Sequence, residues 1–587
     1  MRQNPFLTLR CAFIVALALM FAFVAMADSR RSRTRFRTSG YDVVDMRMHR
    51  AGELEEAIDD VEFKSVRVLI LSGPINGKDL AFIKKIAQRS SVYDFDNRKV
   101  DNYLDLDLGG AYIESGGGGF FSSSRTSRDE LPSSCFSGCG NLRTVILPER
   151  TSEIGNYAFS SCYNLEEVVM GRRVVRIGDN AFYGCSHLKY LDMSDYVEEL
   201  GASCFEDCSR LTAVYLPQGL RSIGDKCFKN VPITRLEMPT SLTYLGTNAL
   251  SGTKLVELYI PADTEIGNDN PGDISTLRAY VVERGNRRYM SDAGLLYNAD
   301  GTLLISCPEG ISGQVNIPNG VEAIGQYAFY NCSRISYIAL PASITRIGSY
   351  AFANSGVTAF ELPENVTVLP AHALEECDGL RSVTLHDGVT TIGSYALANC
   401  HNLPSIELPA SLSSINEHAF YRCYALRAID IPEGITELPQ SAFQDCTAMT
   451  DITLSDHLTT LGKEALRNCK SLQSVQLPAS LRSIGIEVFR DCKVLQSIDI
   501  PEGVTSIGTN AFRSTALTEL ILPSTVTNIG KKITEKCKLQ RIVCHAITPP
   551  VLEKENDSKV PLFVPAESIT AYKNAKQWKN FKQINPI

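Results

Sequence analysis

The sequence predicts an α/β-type solenoid: stacked coils of 22–23 residues, each with one short strand, forming a curved parallel sheet with N- and C-terminal caps. Three observations predict it. The stretch that starts at Ile392, IGSYALANCHNLPSIELPASLSS, aligns without a gap on the next, INEHAFYRCYALRAIDIPEGITE, which starts at Ile415. The leading apolar residue recurs at Ile154, Ile177, Leu200, Ile223, Leu245, Ile324, Ile347, Leu369, Ile392, Ile415, Leu438, Leu461, Ile484, Ile507 and Ile529, mostly in steps of 23 or 22 residues. Within a copy, segments such as Ser405-Ile406-Glu407-Leu408 alternate polar and apolar residues, the pattern of a half-buried strand. One copy cannot bury its own apolar side, so copies must stack on their neighbours.

The copies reduce to I/L-G-x-x-A-F-x-x-C-x-x-L-x-x-V/I-x-L-P-x-x-L/V-x-x, and each fixed position has a physical job. Proline ends the strand because it has no N–H for the ladder. The glycine, Gly393 in the type copy, marks a backbone of positive φ or a close approach. The Ala-Phe pair sends one ring into the core of each coil, and burial of such a ring is worth about 1.5–3 kcal/mol. Repeated at Phe159, Phe182, Phe205, Phe228, Phe329, Phe352, Phe420, Phe443, Phe489 and Phe512, the rings form a spine. A partial copy precedes them, with Cys135-Phe136, Cys139, Leu142, Val145 and Leu147-Pro148.

Over about residues 131–545 this pattern resembles the cysteine-containing leucine-rich repeats of BspA-like bacterial surface proteins. The resemblance implies a right-handed leucine-rich repeat solenoid, secretion, and adhesion or protein recognition. It also implies protein or glycoprotein partners, such as host matrix proteins, or other bacterial cells.

Residues 1–27 read as a signal peptide: Arg2 and Arg10 precede an uncharged, mostly apolar run, and Ala25-Met26-Ala27 offers a cleavage site. Five arginines from Arg30 to Arg37 follow at once, and positive charge there can hold a segment in the membrane as an anchor; the expectation is cleaved export. No other long apolar span appears, so no further transmembrane domain is expected. Residues 28–40 form a basic leader whose composition predicts flexibility. Residues 41–130 form an N-terminal cap region that covers the first coil. There Val66 to Leu71 reads as a strand, Gly73-Pro74 as part of the turn after it, Lys78 to Arg89 as a helix with Leu80, Ile83, Ile86 and Ala87 on one face, and Leu104 to Leu108 as a strand. Gly116 to Gly119 lacks the Lys-Ser/Thr of a phosphate loop and reads as a flexible surface loop. Asp94-x-Asp96-Asn97 starts like a calcium loop, but Arg98 and Lys99 spoil it.

Regular repeats occupy residues 131–261. Leu245 and Ile324 are 79 residues apart, so 262–314 is read as a divergent coil with a hairpin insertion around Asp300-Gly301. Repeats resume over 315–545. Residues 546–587 form a C-terminal cap, with a strand at Leu562 to Pro565 and a helix at Ser568 to Lys579 that carries Tyr572 and Trp578, the only tryptophan.

Most of the 18 cysteines share one repeat position. Stacked coils place equivalent atoms about 4.8 Å apart, while a disulfide wants Cβ atoms about 3.5–4.5 Å apart and turned toward each other. Buried free thiols are therefore expected. Cys135-x3-Cys139 and Cys204-x3-Cys208 fit a zinc pair only loosely, because Cys135 and Cys204 sit at the inward Ala position. The eight histidines form no metal or nucleophile-base motif. No catalytic, cofactor or metal residues are assigned. A net charge of −8 argues against a general nucleic-acid binder.

Residues flanking the strand's central Val/Ile point out of one sheet face. There lie Glu167, Asp192, Glu237, Glu257, Glu361, Glu407, Asp430, Asp451, Asp499 and Glu519, against only Arg235 and Arg541. Tyr190, Tyr215, Tyr259 and Tyr337 share those columns, and the next column out is more basic. The candidate partner-binding residues are Tyr190, Tyr215, Glu257, Tyr259, Tyr337, Glu361, Glu407, Asp430, Asp451 and Asp499; the plain alternative is a solvated sheet face. A second stripe, Tyr327, Tyr350, His372, Tyr395 and His418, reads first as rings packed between coils. The expectation is a non-catalytic secreted or surface binding protein, with a polysaccharide-acting solenoid enzyme and an envelope structural protein as alternatives.

Overall fold

The structure, a computed structural model, describes residues 34–38, 41–58, 63, 65–89, 92–93, 99–100, 103–118, 126–553 and 559–587. The signal segment and the Asp94–Asn97 stretch lie outside the described residues. The chain forms two units: Met1–Leu255 with Asp263–Asp273, and Val256–Ala262 with Ile274–Ile587.

In the first unit, strands Val66–Ile75, Leu104–Ile113, Leu142–Ile146, Glu167–Val169 and Tyr190–Asp192 pair in parallel, with Val145, Val168 and Leu191 in register. These central residues are the ones the alternation marks. A second parallel ladder runs through the residue pair that ends on each coil's leading apolar residue: Glu130–Leu131, Glu153–Ile154, Arg176–Ile177, Glu199–Leu200, Ser222–Ile223, Tyr244–Leu245 and Glu265–Ile266. One strand per coil was expected; the two-residue ladder is an additional one, and the coils around Val214 and Leu236 have only this ladder. Its cause is backbone satisfaction, since buried N–H and C=O groups must find partners. The amides of Gly178, Gly201 and Gly224 each donate to the leading residue of the preceding coil at 2.8 Å.

The second unit repeats both ladders. Ala428–Asp430 pairs in parallel with Asp451–Thr453, and Glu437–Leu438 with Thr460–Leu461. Ser405-Ile406-Glu407-Leu408 keeps its alternation of burial but is not paired as a regular strand. The equivalent segments around Val475 and Ile498 are likewise unpaired. One apolar core runs from Leu295 to Phe581. In the first unit Phe159, Phe182, Phe205 and Phe228 stack with centroids 5.2, 5.4 and 5.5 Å apart and planes within 9°. In the second unit Phe329–Phe352, Phe420–Phe443 and Phe489–Phe512 stack at 5.3, 5.1 and 5.7 Å, and Leu374, Leu397 and Leu466 fill the position between these pairs.

The repeat glycine answers to close approach. A Cβ on Gly393 would lie 2.5 Å from the Ala371 amide nitrogen and 2.7 Å from the Pro370 carbonyl carbon. Gly393→Ala is expected to destabilise by about 1–3 kcal/mol, because backbone has to move to admit the methyl group. Gly219 has open space around its missing Cβ. A urea titration should show a lowered midpoint for Gly393→Ala and little change for Gly219→Ala. Positive φ falls instead on the fourth and eighth residues of each coil, for example Asn180 (φ 55°), Gly184 (70°), Tyr395 (56°) and Asn399 (59°). Asn and Gly enter this region at least cost.

The N-terminal helix runs Gly77–Ala87 and buries Leu80, Ile83, Ile86 and Ala87. Asn76 caps it, and Asp79 accepts hydrogen bonds from the amides of Gly52, Leu54 and Asn76. Three expectations change here. The strand from Val66 continues through Gly73 and Pro74 to Ile75, because Gly73 at φ 88° lets it pass the Met48 carbonyl, which a Cβ would meet at 2.3 Å. Gly116–Gly118 is packed against the helix start: Gly116 accepts from the Gly77 amide at 3.2 Å, and a Cβ on Gly117 would meet Asn76 Oδ1 at 2.2 Å. Within the basic leader, Thr34–Thr38 pairs antiparallel with Tyr41–Arg47, where Arg35 and Arg37 alternate with Thr34, Phe36 and Thr38 in a strand pattern.

The divergent region contains the hairpin, Leu295–Asn298 against Leu303–Ser306. A third strand, Tyr289–Asp292, joins it through Ala293 (φ 48°) and Gly294 (φ 81°), a two-residue turn with both φ positive. At the C-terminus come strand Leu562–Val564, helix Ile569–Asn574, a 3-10 turn at Trp578–Asn580 and strand Ile584–Pro586. Trp578 donates to the Pro550 carbonyl at 2.7 Å, and with Phe581 it faces Leu520, Leu522, Ile542 and Leu552.

Candidate functional site

The strand face is built by alternation: each central Val/Ile is buried and its neighbours face out. In the first unit this exposes Tyr190 (55%) and Tyr215 (48%). Tyr190 precedes the central Leu191 of its coil, and Tyr215 follows the central Val214 of the next. In the second unit Glu257 is exposed and Tyr259 half-buried on strand Glu257–Ile260, and Tyr337 is exposed on Ile335–Ala339. Burial and the Glu283 carboxylate, which accepts from its hydroxyl, raise the Tyr259 pKa.

Glu361, Glu407, Asp430 and Asp499 follow the central residue of their coils, and Asp451 precedes one; all five are exposed. Glu407 and Asp430 occupy consecutive coils. Among the described residues no basic group lies within ion-pair distance of these five, whereas Glu237 meets Arg235 at 2.8 Å and Glu519 meets Arg541 at 2.5 Å. Carboxylates on neighbouring strands repel, so this face costs stability and attracts cations.

The cysteine ladder has a job that spacing alone does not reveal. Where one regular coil follows another, the thiol donates to the carbonyl of the sixth residue in the preceding coil: Cys185 to Phe159 at 3.2 Å, Cys423 to Leu397 at 3.2 Å and Cys446 to Phe420 at 3.3 Å; Cys332, after the divergent region, reaches the Cys307 carbonyl at 3.6 Å instead. The same carbonyls also accept an amide of their own coil, as Phe159 does from Cys162 at 3.1 Å. One sequence signal could have found this. Three of the four coils without the cysteine place a hydroxyl residue there, Thr253, Ser355 and Thr515, and the fourth has Val231; the Thr253 and Thr515 hydroxyls donate to the sixth-residue carbonyl of their own coil. All described cysteines are free, including Cys135 and Cys204, which are fully buried beside Phe136 and Phe205.

Burial pushes the thiols of Cys139, Cys423 and Cys492 up to about 12 and that of Cys377 to about 11. These four thiols are therefore not nucleophiles near neutral pH. The folded pKa lies above the unfolded one, so above pH 9 the unfolded chain releases protons that the folded chain retains. Stability contributed by neutral thiols is present below about pH 9 and is lost as pH rises toward 12. Urea midpoints measured from pH 8 to 11 should fall, and replacing Cys400, Cys423 and Cys446 with alanine should flatten the slope.

The second stripe is a stack. Tyr327, Tyr350, His372, Tyr395 and His418 have successive centroids 5.0, 4.1, 4.9 and 4.4 Å apart, with planes within 17°. Every one sits at the fourth, left-handed position, with φ between 56° and 60°. Such a conformation costs an ordinary side chain about 1–2 kcal/mol, and each stacked pair returns about 0.5–1.5 kcal/mol. The two roughly cancel. Tyr330 and Tyr421 stand edge-on to the first and last rings. Glu375 Oε2 lies 2.6 Å from His372 Nδ1. Burial lowers the His418 pKa, and its Nδ1 is buried without a hydrogen-bond partner. Further along, the same columns carry ion pairs: Arg467 reaches Glu464 at 3.1 Å and Glu487 at 3.6 Å.

Among the described residues no helix is long and apolar enough to cross a membrane. No curated protein matches the chain. Solved structures do. A leucine rich cell surface protein from Faecalibacterium prausnitzii A2-165 is 26% identical over 57% of this chain and 85% of its own, with a TM-score of 0.44. A leucine-rich repeat protein from Bacteroides ovatus is 24% identical over 60% of this chain and 83% of its own, TM-score 0.38. One from Eubacterium ventriosum is 21% identical over 64% and 83%, TM-score 0.40. Residues 129–261, 312–427 and 413–540 match the family described as BspA type leucine rich repeat region, in six copies. With more than half of its residues matched and its stacked parallel coils in place, the chain belongs to the BspA-type leucine-rich repeat family.

Proposed function

We propose that this chain is an exported, non-catalytic binding protein, secreted or held at the cell surface, that recognises proteins or glycoproteins through the strand face of its coils. The observation that carries this reading is the run of exposed carboxylates without basic partners, Glu361, Glu407, Asp430, Asp451 and Asp499, on the outward face of the stacked coils. A repeat protein's sheet is an extended contact surface, and unpaired acids there steer basic partner segments toward it. Tyr190 and Tyr215 supply the aromatic contact area that binding hot spots favour. Export rests on the basic, apolar and A-x-A order of residues 1–27 and on the cell-surface designation of a structural relative. Buried thiols and the absence of a nucleophile-base motif argue for binding over catalysis.

The test is a binding screen of residues 28–587 against matrix proteins and mucins at two salt concentrations, beside a variant with Glu407→Gln, Asp430→Asn and Asp451→Asn. Binding is expected to weaken with salt and in the variant. A partner indifferent to both places recognition elsewhere, and no partner at all removes the proposal.

A further inference from the structure

The five-ring stack in the second unit is not explained by stability, since its strain and its stacking offset each other. Other coils fill the same left-handed position with Asn180, Asn248, Ser441 or Asn510, and also with Lys226, Glu464, Glu487 and Lys532, so a stacked ring is not needed to occupy it. What sets this surface apart is an unbroken run of five stacked rings in consecutive coils.

Their geometry narrows what the surface can bind. Rings stacked face to face hide their faces and offer their rims: apolar C–H edges, tyrosine hydroxyls and imidazole nitrogens. Tyr327, the first ring, is 45% exposed and leaves ring surface open. Beside the stack runs the eighth-position column, with Asn331, Asn354 and Asn399, where Asn354 Nδ2 donates to Asn331 Oδ1 at 2.8 Å. Glu375 sits at the middle rung against His372. Amides, a carboxylate and hydroxyls beside aromatic edges form an amphipathic strip that suits sugars, whose C–H groups and hydroxyls alternate.

Spacing separates the classes of ligand. The rungs repeat every 4.1–5.0 Å. An extended peptide advances about 3.3 Å per residue and falls out of step within a few rungs. An extended β-linked glycan advances close to one rung per sugar. Charge separates the glycans: Glu375, Glu376 and Glu417 outnumber Arg422 around the stack, so an acidic polymer is repelled. We propose that the Tyr327–His418 ring stack binds an extended, neutral, β-linked polysaccharide along the coil axis, one sugar per rung. This site is separate from the acidic strand face.

The experiment is native electrophoresis of residues 28–587 through gels containing soluble β-1,4-glucan, xylan or mannan, with hyaluronan as the acidic control. Tyr350→Asn with Tyr395→Asn removes two rings and installs the residue that other coils use at this left-handed position. Tyr327→Asn, at the exposed end, is a second and milder variant. Retardation by a neutral glycan is expected, about tenfold weaker in the double variant and indifferent to salt. It should persist in the Glu407, Asp430 and Asp451 variant, which separates this proposal from the one above. Unretarded migration in every neutral gel overturns it. So does equal retardation of wild type and both ring variants, or retardation by hyaluronan alone.

Discussion

Phe420→Ala is expected to destabilise the second unit by about 3–5 kcal/mol, the range for deleting a fully buried aromatic ring. Phe420 has no exposed surface and stacks on Phe443 at 5.1 Å. Its other neighbour in the column is Leu397, not another ring, so nothing on that side can slide in to fill the space. The Phe420 carbonyl also accepts the Cys446 thiol at 3.3 Å, so relaxation of the backbone would disturb the next coil. Chemical denaturation should show a lower midpoint, and loss of cooperativity between the coils on either side should broaden the transition. Phe420→Leu should cost much less, because leucine already holds this position at 374, 397 and 466. Val494→Ala, at an exposed position, should change stability by no more than about 0.5 kcal/mol. Equal midpoints for Phe420→Ala and Val494→Ala would remove the spine from the account of stability.

Trp578→Ala should cost a similar amount, about 3–5 kcal/mol, but locally. Trp578 is 2% exposed, stacks on Phe581 at 5.6 Å and meets Tyr572 edge-on at 5.2 Å. Removing it opens the apolar end of the last coils and leaves the buried Pro550 carbonyl without its donor. Amide hydrogen exchange should accelerate around Ile529 and Ile542 while the amide of Phe420 keeps its protection. Because Trp578 is the only tryptophan, its fluorescence in the wild-type chain reports on this end of the unit alone. A fluorescence transition below the circular-dichroism transition is the expected result. Acceleration spread evenly over the unit would mean that the end does not melt by itself.

Much of this architecture was legible because the sequence states it many times over. A position that recurs as Phe159, Phe182, Phe205 and Phe228 declares a buried column without any structure. The second ladder was not legible. It is two residues wide, too short for alternation to show, and it follows from backbone groups that every residue carries. Gly73-Pro74 misled because the pair usually turns a chain, and what overrode it was the Met48 carbonyl, contributed from 25 residues earlier. Gly116–Gly118 misled in the same way, since Asn76 and Gly77, far off in sequence, hold it. Ala293-Gly294 hid the third strand of the divergent region, because alanine is an unusual residue for a positive φ. The outward positions of Glu407 and Asp430 follow directly from alternation. Which ligand meets them does not, because a repeat constrains its buried columns and leaves the outward ones free to vary.

The bonds that join one coil to the next have a consequence for how such a chain changes in length. Thiol to carbonyl, glycine amide to leading residue, ring to ring: each links positions about one repeat apart, and the same links recur at the next coil. Removing residues 392–414 as a block would set Leu369 before Ile415 with every column still in register. Removing half as many would misalign all of them at once. Length is thus quantised, and recombination between copies is neutral to the core when it moves whole coils. The ring stack and the acidic columns would grow or shrink by one rung with each event, so reach along a ligand can be adjusted without redesigning a single buried contact.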